Sequence, residues 1–212
     1  MSETTEERTA RDRISFLRTL RAVRSFRSDP VPQEVVDDVL EVARWSGSAS
    51  NKQPWEIVVI RDRDTLRTLA SVGGYAGHLA GAPLGIVLAM AGEWAEQETY
   101  DEGRLAERIM LAAHAHGVGS SIGWIVGSGR DAARELLGIP QGKVVRTAIS
   151  LGYPDEEARR SRAGRWQARK PLGEIVHTES YAQEDHERFF RRRNSQAPRR
   201  DQGSAHRDPP GR

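Results

Sequence analysis

Ser48-Ala49-Ser50-Asn51-Lys52-Gln53-Pro54-Trp55 lies between an amphipathic helical pattern and the apolar run Glu56-Ile57-Val58-Val59-Ile60. Small residues let a backbone pass close to a ligand. Asn51 and Gln53 each offer donors and acceptors. Pro54 stops the helix and pre-sets an extended path, and Trp55 anchors the strand that follows. The layout suits an edge-on grip on a flat, polar heterocycle. A Ser-rich connector between helix and strand has the same composition, and this stretch alone does not separate the two.

Working outward, the pattern predicts alternating helices and strands. Upstream, Arg13 to Val23 places Ile14, Leu17, Leu20 and Val23 on one helical face. Pro32 suits the first turn of a second helix, whose apolar face is Val35, Val36, Val39, Leu40, Val42 and Ala43, with Gly47 at its C-cap. Downstream, Trp55 to Ile60 reads as a buried strand. Arg63 to Val72 reads as a short helix, Gly73 to Gly77 as a flexible loop, and Leu84 to Ala91 as a second buried strand. Thr99 to His116 is the longest helical pattern, and Leu105, Ile109, Met110, Ala112 and Ala113 make it apolar enough for a central position. Val118 to Val126 reads as strand or extended loop, Asp131 to Leu137 as a short helix, Val144 to Leu151 as a third apolar strand, and residues 155 to 168 as a charged loop. The predicted class is α+β: a central sheet with helices packed around it. Periodicity does not fix the strand order.

Composition narrows the chemistry. The 212 residues fit one domain, or a domain plus a tail. Lys and Arg number 32 against 30 Asp and Glu, a net charge of +2, so neither nucleic acid nor an anionic membrane is an expected partner. There is no cysteine. That excludes disulfides, thiolate metal ligation and thiol redox chemistry, so any redox activity must come from a bound cofactor. His114 and His116 lie two residues apart and do not share a helix face, so no metal site is expected. Gly73, Gly74 and Gly77 lack the Lys-Ser/Thr of a phosphate loop, and no GxGxxG fingerprint is present. The first residues carry no apolar signal core, and no apolar run approaches the roughly 20 residues of a spanning helix. A cytoplasmic, soluble protein is expected. Beyond His177 the chain turns polar and basic, with Arg188, Arg191, Arg192, Arg193, Arg199 and Arg200, a composition that predicts disorder.

Arg24-Ser25-Phe26-Arg27 adds the other half of a site. The planar fork of Arg makes paired, charge-assisted bonds to phosphate, and a Ser hydroxyl adds a contact. A solvated helix end would carry the same arginines. Gly119-Ser120-Ser121-Ile122-Gly123-Trp124 allows backbone to pass tight against an aromatic plane, or is a Gly-rich strand entry.

These segments in order resemble the FMN-dependent nitroreductase family. The resemblance rests on Arg24-Ser25-Phe26-Arg27, Ser50-Asn51-Lys52-Gln53-Pro54-Trp55, Gly117 to Trp124, and Arg169-Lys170-Pro171-Leu172-Gly173-Glu174-Ile175-Val176-His177. It runs from about Ile14 to His177. It implies a nitroreductase-like fold, a central mixed sheet surrounded by helices, in an intertwined homodimer with FMN at the interface. The domain would span 13–177, between a flexible lead (1–12) and a basic, largely disordered tail (178–212). It implies that Arg24 and Ser25 hold the FMN phosphate and that Arg27 approaches the pyrimidine edge of the flavin. Ser48, Ala49, Ser50 and Asn51 would reach the flavin from the other subunit. Ile122 and Gly123 would bring a backbone amide near flavin N5, and Arg169 would close on the phosphate, with Lys170 a weaker candidate. Val23 departs from the family pattern, which often has a second basic residue there. His78, in a loop just before Ala82-Pro83, falls where some relatives have a basic residue near the flavin ring; a lone loop histidine is more often a surface residue. The implied activity is hydride transfer from a transient NAD(P)H through flavin to an electron-poor acceptor such as a nitroaromatic, a quinone or an activated alkene. No side chain need act as acid or base. The alternatives are a non-catalytic flavin-binding or sequestering protein, and dehalogenase or flavin-consuming chemistry on the same fold.

Overall fold

A computed structural model of the chain describes residues 5–161 and 169–181. By Cα packing the chain divides into Met1–Ala163 and Gly164–Arg212. Among the described residues the first unit carries ten helices and strands: α1 (Thr5–Thr19), α2 (Gln33–Arg44), β1 (Trp55–Ile60), α3 (Arg63–Val72), β2 (Leu84–Met90), α4 (Ala95–Ala115), β3 (Gly119–Trp124), α5 (Gly129–Leu137), β4 (Val144–Gly152) and α6 (Glu156–Ser161).

The continuous apolar run of β2 explains the layering. Its side chains alternate between two faces, and both faces are covered. Leu84, Ile86 and Leu88 join Ile149 and Leu151 of β4 in a core with Val36 and Val39 of α2 and Leu105 and Ile109 of α4. On the other face Val87 and Ala89 meet Leu66 and Leu69 of α3, Leu79, Ala133 of α5 and Val145 of β4. The strand order is β1-β2-β4-β3, and each pair is antiparallel. Antiparallel sheets often leave one face to water. Here helices cover both, so the first unit has three layers: α2 and α4, the sheet, then α3 and α5. Within the expected mixed sheet, parallel pairing among the described residues is confined to an isolated bridge, Ala22 to Ser120.

The boundaries follow from local chemistry. α3 opens on Asp62, whose carboxylate accepts from the Thr65 N–H at 2.8 Å and from its hydroxyl at 2.7 Å. α5 closes on Gly138 at φ 64, the left-handed cap that glycine takes without strain. The first helix differs from expectation. It begins at Thr5 and ends at Thr19, where the apolar pattern predicted Arg13 to Val23. Arg21 bonds the carbonyls of Arg18 and Leu20 at its end, and the chain then runs extended along the sheet. Ile14 and Leu17 are about half exposed, at 56% and 51%. Val23, assigned to the same helical face, is buried instead against Gly119. The charged stretch after Pro154 forms α6 rather than a loop. Asp155 accepts from the Glu157 and Ala158 N–H groups, an N-cap that hydrophobic periodicity does not register.

In the second unit, Arg169 to Tyr181 includes a 3-10 turn at Leu172–Glu174, and the rings of His177 and Tyr181 lie 4.2 Å apart. The expected basic tail lies outside the described residues from 182 onward. Among the described residues no helix is long and apolar enough to cross a membrane.

Candidate functional site

The stretch between α1 and α2 is fastened to the sheet. Val23 N–H donates to the Ser120 carbonyl at 2.8 Å, Arg27 N–H to the Tyr153 carbonyl at 2.9 Å, and Asp155 N–H to the Ser25 carbonyl at 3.1 Å. This seats Arg24 beside β3. A cleft of about 720 Å³ opens there, lined by Arg24, Tyr75, Gly77, His78, Gly81, Ile122 and Trp124. Two expected site residues, Arg24 and Ile122, thus share one cavity. Gly123 follows Ile122 on β3 but packs inside the chain: a Cβ there would lie 2.9 Å from Ala76 and 3.3 Å from His78 Nε2. At Gly77 and Gly81 a Cβ would meet nothing within 4 Å, so the wall they form is open.

His78 belongs to this cleft and not to the outer surface. Its Nδ1 lies 2.7 Å from Ser150 Oγ, and its Nε2 is buried without a hydrogen-bond partner. Burial pushes the imidazole pKa below its ordinary value; the Arg24 charge adds to this and the Ile122 backbone opposes it. The shift favours the uncharged imidazole beside the Arg24 cation at neutral pH. Tyr75 and Trp124 add exposed aromatic planes.

Arg27 is engaged elsewhere. Its Nε lies 3.0 Å from Asp29 Oδ2, and its guanidinium sits over the Tyr153 ring. Ser25 is half-buried. Arg169 is exposed and opens the described part of the second unit.

The Ser48–Asn51 loop meets a different cavity. A pocket of about 310 Å³ is lined by Ala49, Lys52, Gln53, Trp94, Glu98 and Asp101, among others. Ser50, Asn51 and Gln53 take φ values of 50°, 53° and 49°, left-handed backbone that residues other than glycine seldom adopt. Ser48 Oγ accepts from the Gln53 N–H at 2.8 Å. Gln53 Nε2 donates to the Asn51 carbonyl at 3.2 Å. Within one chain the loop and Arg24 therefore line separate cavities.

Sequence reasoning gave no role to Tyr75, Trp124 or Asp101, and favoured a surface position for His78. Tyr75 and His78 carried one signal, a pair of ring side chains among small residues in Gly73-Gly74-Tyr75-Ala76-Gly77-His78. Asp101 carried another, an acid on the apolar face of a long helix.

Fold and cleft define a three-layered α+β protein with a cationic, aromatic-lined cleft beside an edge strand. Comparison with known proteins makes this specific. A family profile described as the nitroreductase family matches residues 17–72. A protein of Archaeoglobus fulgidus, provisionally named an NADH dehydrogenase/NAD(P)H nitroreductase, is 32% identical over 152 residues, covering 68% of this chain and 86% of the relative. An NADH dehydrogenase of Thermus thermophilus is 29% identical over 177 residues, covering 65% of this chain and 84% of that one. The solved structure of an FMN-dependent nitroreductase from Clostridium difficile matches with a TM-score of 0.69 and 27% identity, over 79% of this chain and 99% of that one. The chain belongs to the nitroreductase family.

Proposed function

We propose that the protein is an FMN-dependent oxidoreductase that takes a hydride from NAD(P)H and delivers electrons to an electron-poor acceptor such as a nitroaromatic, a quinone or an activated alkene. The observation that carries this reading is the shared cleft of Arg24 and Ile122. It joins a cation suited to phosphate with exposed aromatic planes and an open wall at Gly77 and Gly81, over which a planar group could lie. The names of the relatives support the same chemistry: NAD(P)H in one, FMN in another.

The donor set fits the cofactor. The cleft offers a cation, aromatic planes and an open glycine wall. FMN, when bound, supplies the hydride-accepting and electron-donating chemistry. The chain's own residues bind and orient. Arg24 and Ser25 hold the phosphate. Ile122 and Gly123 present backbone to the ring. Arg27 shares its charge with Asp29, so it contributes a weaker field at the pyrimidine edge than a free cation would. Neutral His78 keeps a second positive charge away from Arg24.

The separation of the Ser48–Asn51 loop from the Arg24 cleft supports a homodimer in which each loop serves the partner's cleft. The test is direct. Purified protein should be yellow, release FMN on denaturation, and bleach when NADH or NADPH is added without oxygen. Release of FAD, or no flavin after reconstitution, overturns the reading. A flavin that neither reductant bleaches points to a sequestering protein.

A further inference from the structure

Three non-glycine residues with φ near +50° in one six-residue turn need external restraint, because such backbone persists only where its surroundings over-determine it. The turn braces itself in part. Asn51 N–H donates to the Ser48 carbonyl and Lys52 N–H to the Ala49 carbonyl, both at 3.1 Å. The Ala49 N–H instead leaves the turn and donates to Asp101 Oδ2 at 3.2 Å. Asp101 lies on the inward face of α4 and is 1% exposed. Among the described residues its other oxygen has a long contact to Arg104, 3.5 Å.

A buried carboxylate is costly unless it is paired and hydrogen-bonded. The Ala49 amide is its principal polar contact outside its own helix. A second attachment lies beside the first. Lys52 Nζ sits 4.3 Å from the Trp94 ring centroid. The segment carrying Trp94 is itself held by Glu98, whose carboxylate accepts from the N–H groups of Gly92, Glu93 and Trp94. Asp101 and Glu98, three residues apart on one helix, thus secure both walls of the 310 Å³ pocket.

We infer that Asp101 is a positioning residue for the cofactor grip. By accepting the Ala49 N–H it holds the turn in the shape that keeps Ser50 and Asn51 in left-handed geometry, from which they reach the flavin. This rests on the flavin reading given above. α4 thereby dictates the shape of a loop it precedes in space but follows in sequence.

The test compares Asp101→Ala, which removes the acceptor, with Asp101→Asn, which removes the charge and keeps an acceptor of the same reach. Asp101→Ser, too short to reach Ala49, replaces the Ala variant if that does not fold. Amide hydrogen exchange on the protein as purified and fluorescence titration with FMN are the readouts. With the acceptor removed, exchange at Ala49 to Lys52 should quicken about tenfold against unchanged β2 amides, and FMN affinity should fall about tenfold, while the Asn variant stays within about threefold of wild type. Unchanged loop exchange overturns the inference. So does equal acceleration in loop and β2, which marks a purely structural role, and so does a loosened loop with undiminished FMN affinity. Wild-type protein that binds no flavin overturns the functional reading instead, and the exchange comparison still decides the tether.

Discussion

Arg24 sits on a stretch of chain with no helical or strand register of its own, yet hydrogen bonds on both sides fix its Cα beside β3. A phosphate-binding cation gains most from such placement, because less freedom is lost when the anion arrives. Arg24→Ala should weaken FMN binding by about 1.5–3 kcal/mol, roughly ten- to a hundredfold, in a fluorescence titration. Wild-type affinity would remove Arg24 from the site. His78 makes a second prediction. Its depressed pKa means the unfolded chain binds a proton at a higher pH than the folded one. Its contribution to stability is therefore complete above the ordinary imidazole pKa of about 6.5 and is lost as pH falls below it. His78→Gln should flatten the decline of the thermal midpoint between about pH 7 and about pH 5. An unaltered slope would remove His78 as the source of acid sensitivity in this range, since a carboxylate such as Glu98, with its depressed pKa, acts only at lower pH. Arg24 and Ile122 stood out in the sequence because short motifs carry them, though their sharing of a cleft did not. His78 and Trp124 did not, because the cleft that gives them a role comes from pairing and packing between segments far apart in sequence.

β1, β2 and β4 were read from sequence almost to the residue, since unbroken apolar runs between turn signals have little else to become. α1 was misplaced because periodicity reports an apolar face, not where that face goes. Ile14 and Leu17 point away from the core of their own chain. α6 was missed because its start is encoded in one capping acid. The joint between α4 and β4 was equally invisible: Glu102 and Arg146 form an ion pair with side chains only 4% and 13% exposed. Each keeps one buried atom without a hydrogen bond, Glu102 Oε1 and Arg146 Nη2. Removing one partner strands a buried charge. Arg146→Ala should therefore destabilise the fold by about 3–5 kcal/mol in chemical denaturation. The double change Glu102→Leu with Arg146→Met should cost clearly less than Arg146→Ala alone. Equal losses would show that the pair is not electrostatically coupled.

For the molecule as a whole, the decisive expectation is assembly. If the two cavities are halves of one site, a second copy would complete it, and the half-exposed Ile14 and Leu17 of α1 offer apolar surface for that copy. Sedimentation at micromolar concentration should show a dimer whose interface exceeds about 2,000 Å² and whose dissociation coincides with unfolding. A monomer that retains FMN would refute the shared site. The stretch from Ala22 to Arg27 also has a mechanical meaning. It is stitched to the sheet by few hydrogen bonds, and Arg24 lies among the stitches. A pulling force applied through α1 would reach them before it reached β2. Under load the protein should drop its ligand while most of its fold is still intact, so a tether at the N-terminal side would read cofactor release as a weak first rupture ahead of the main one.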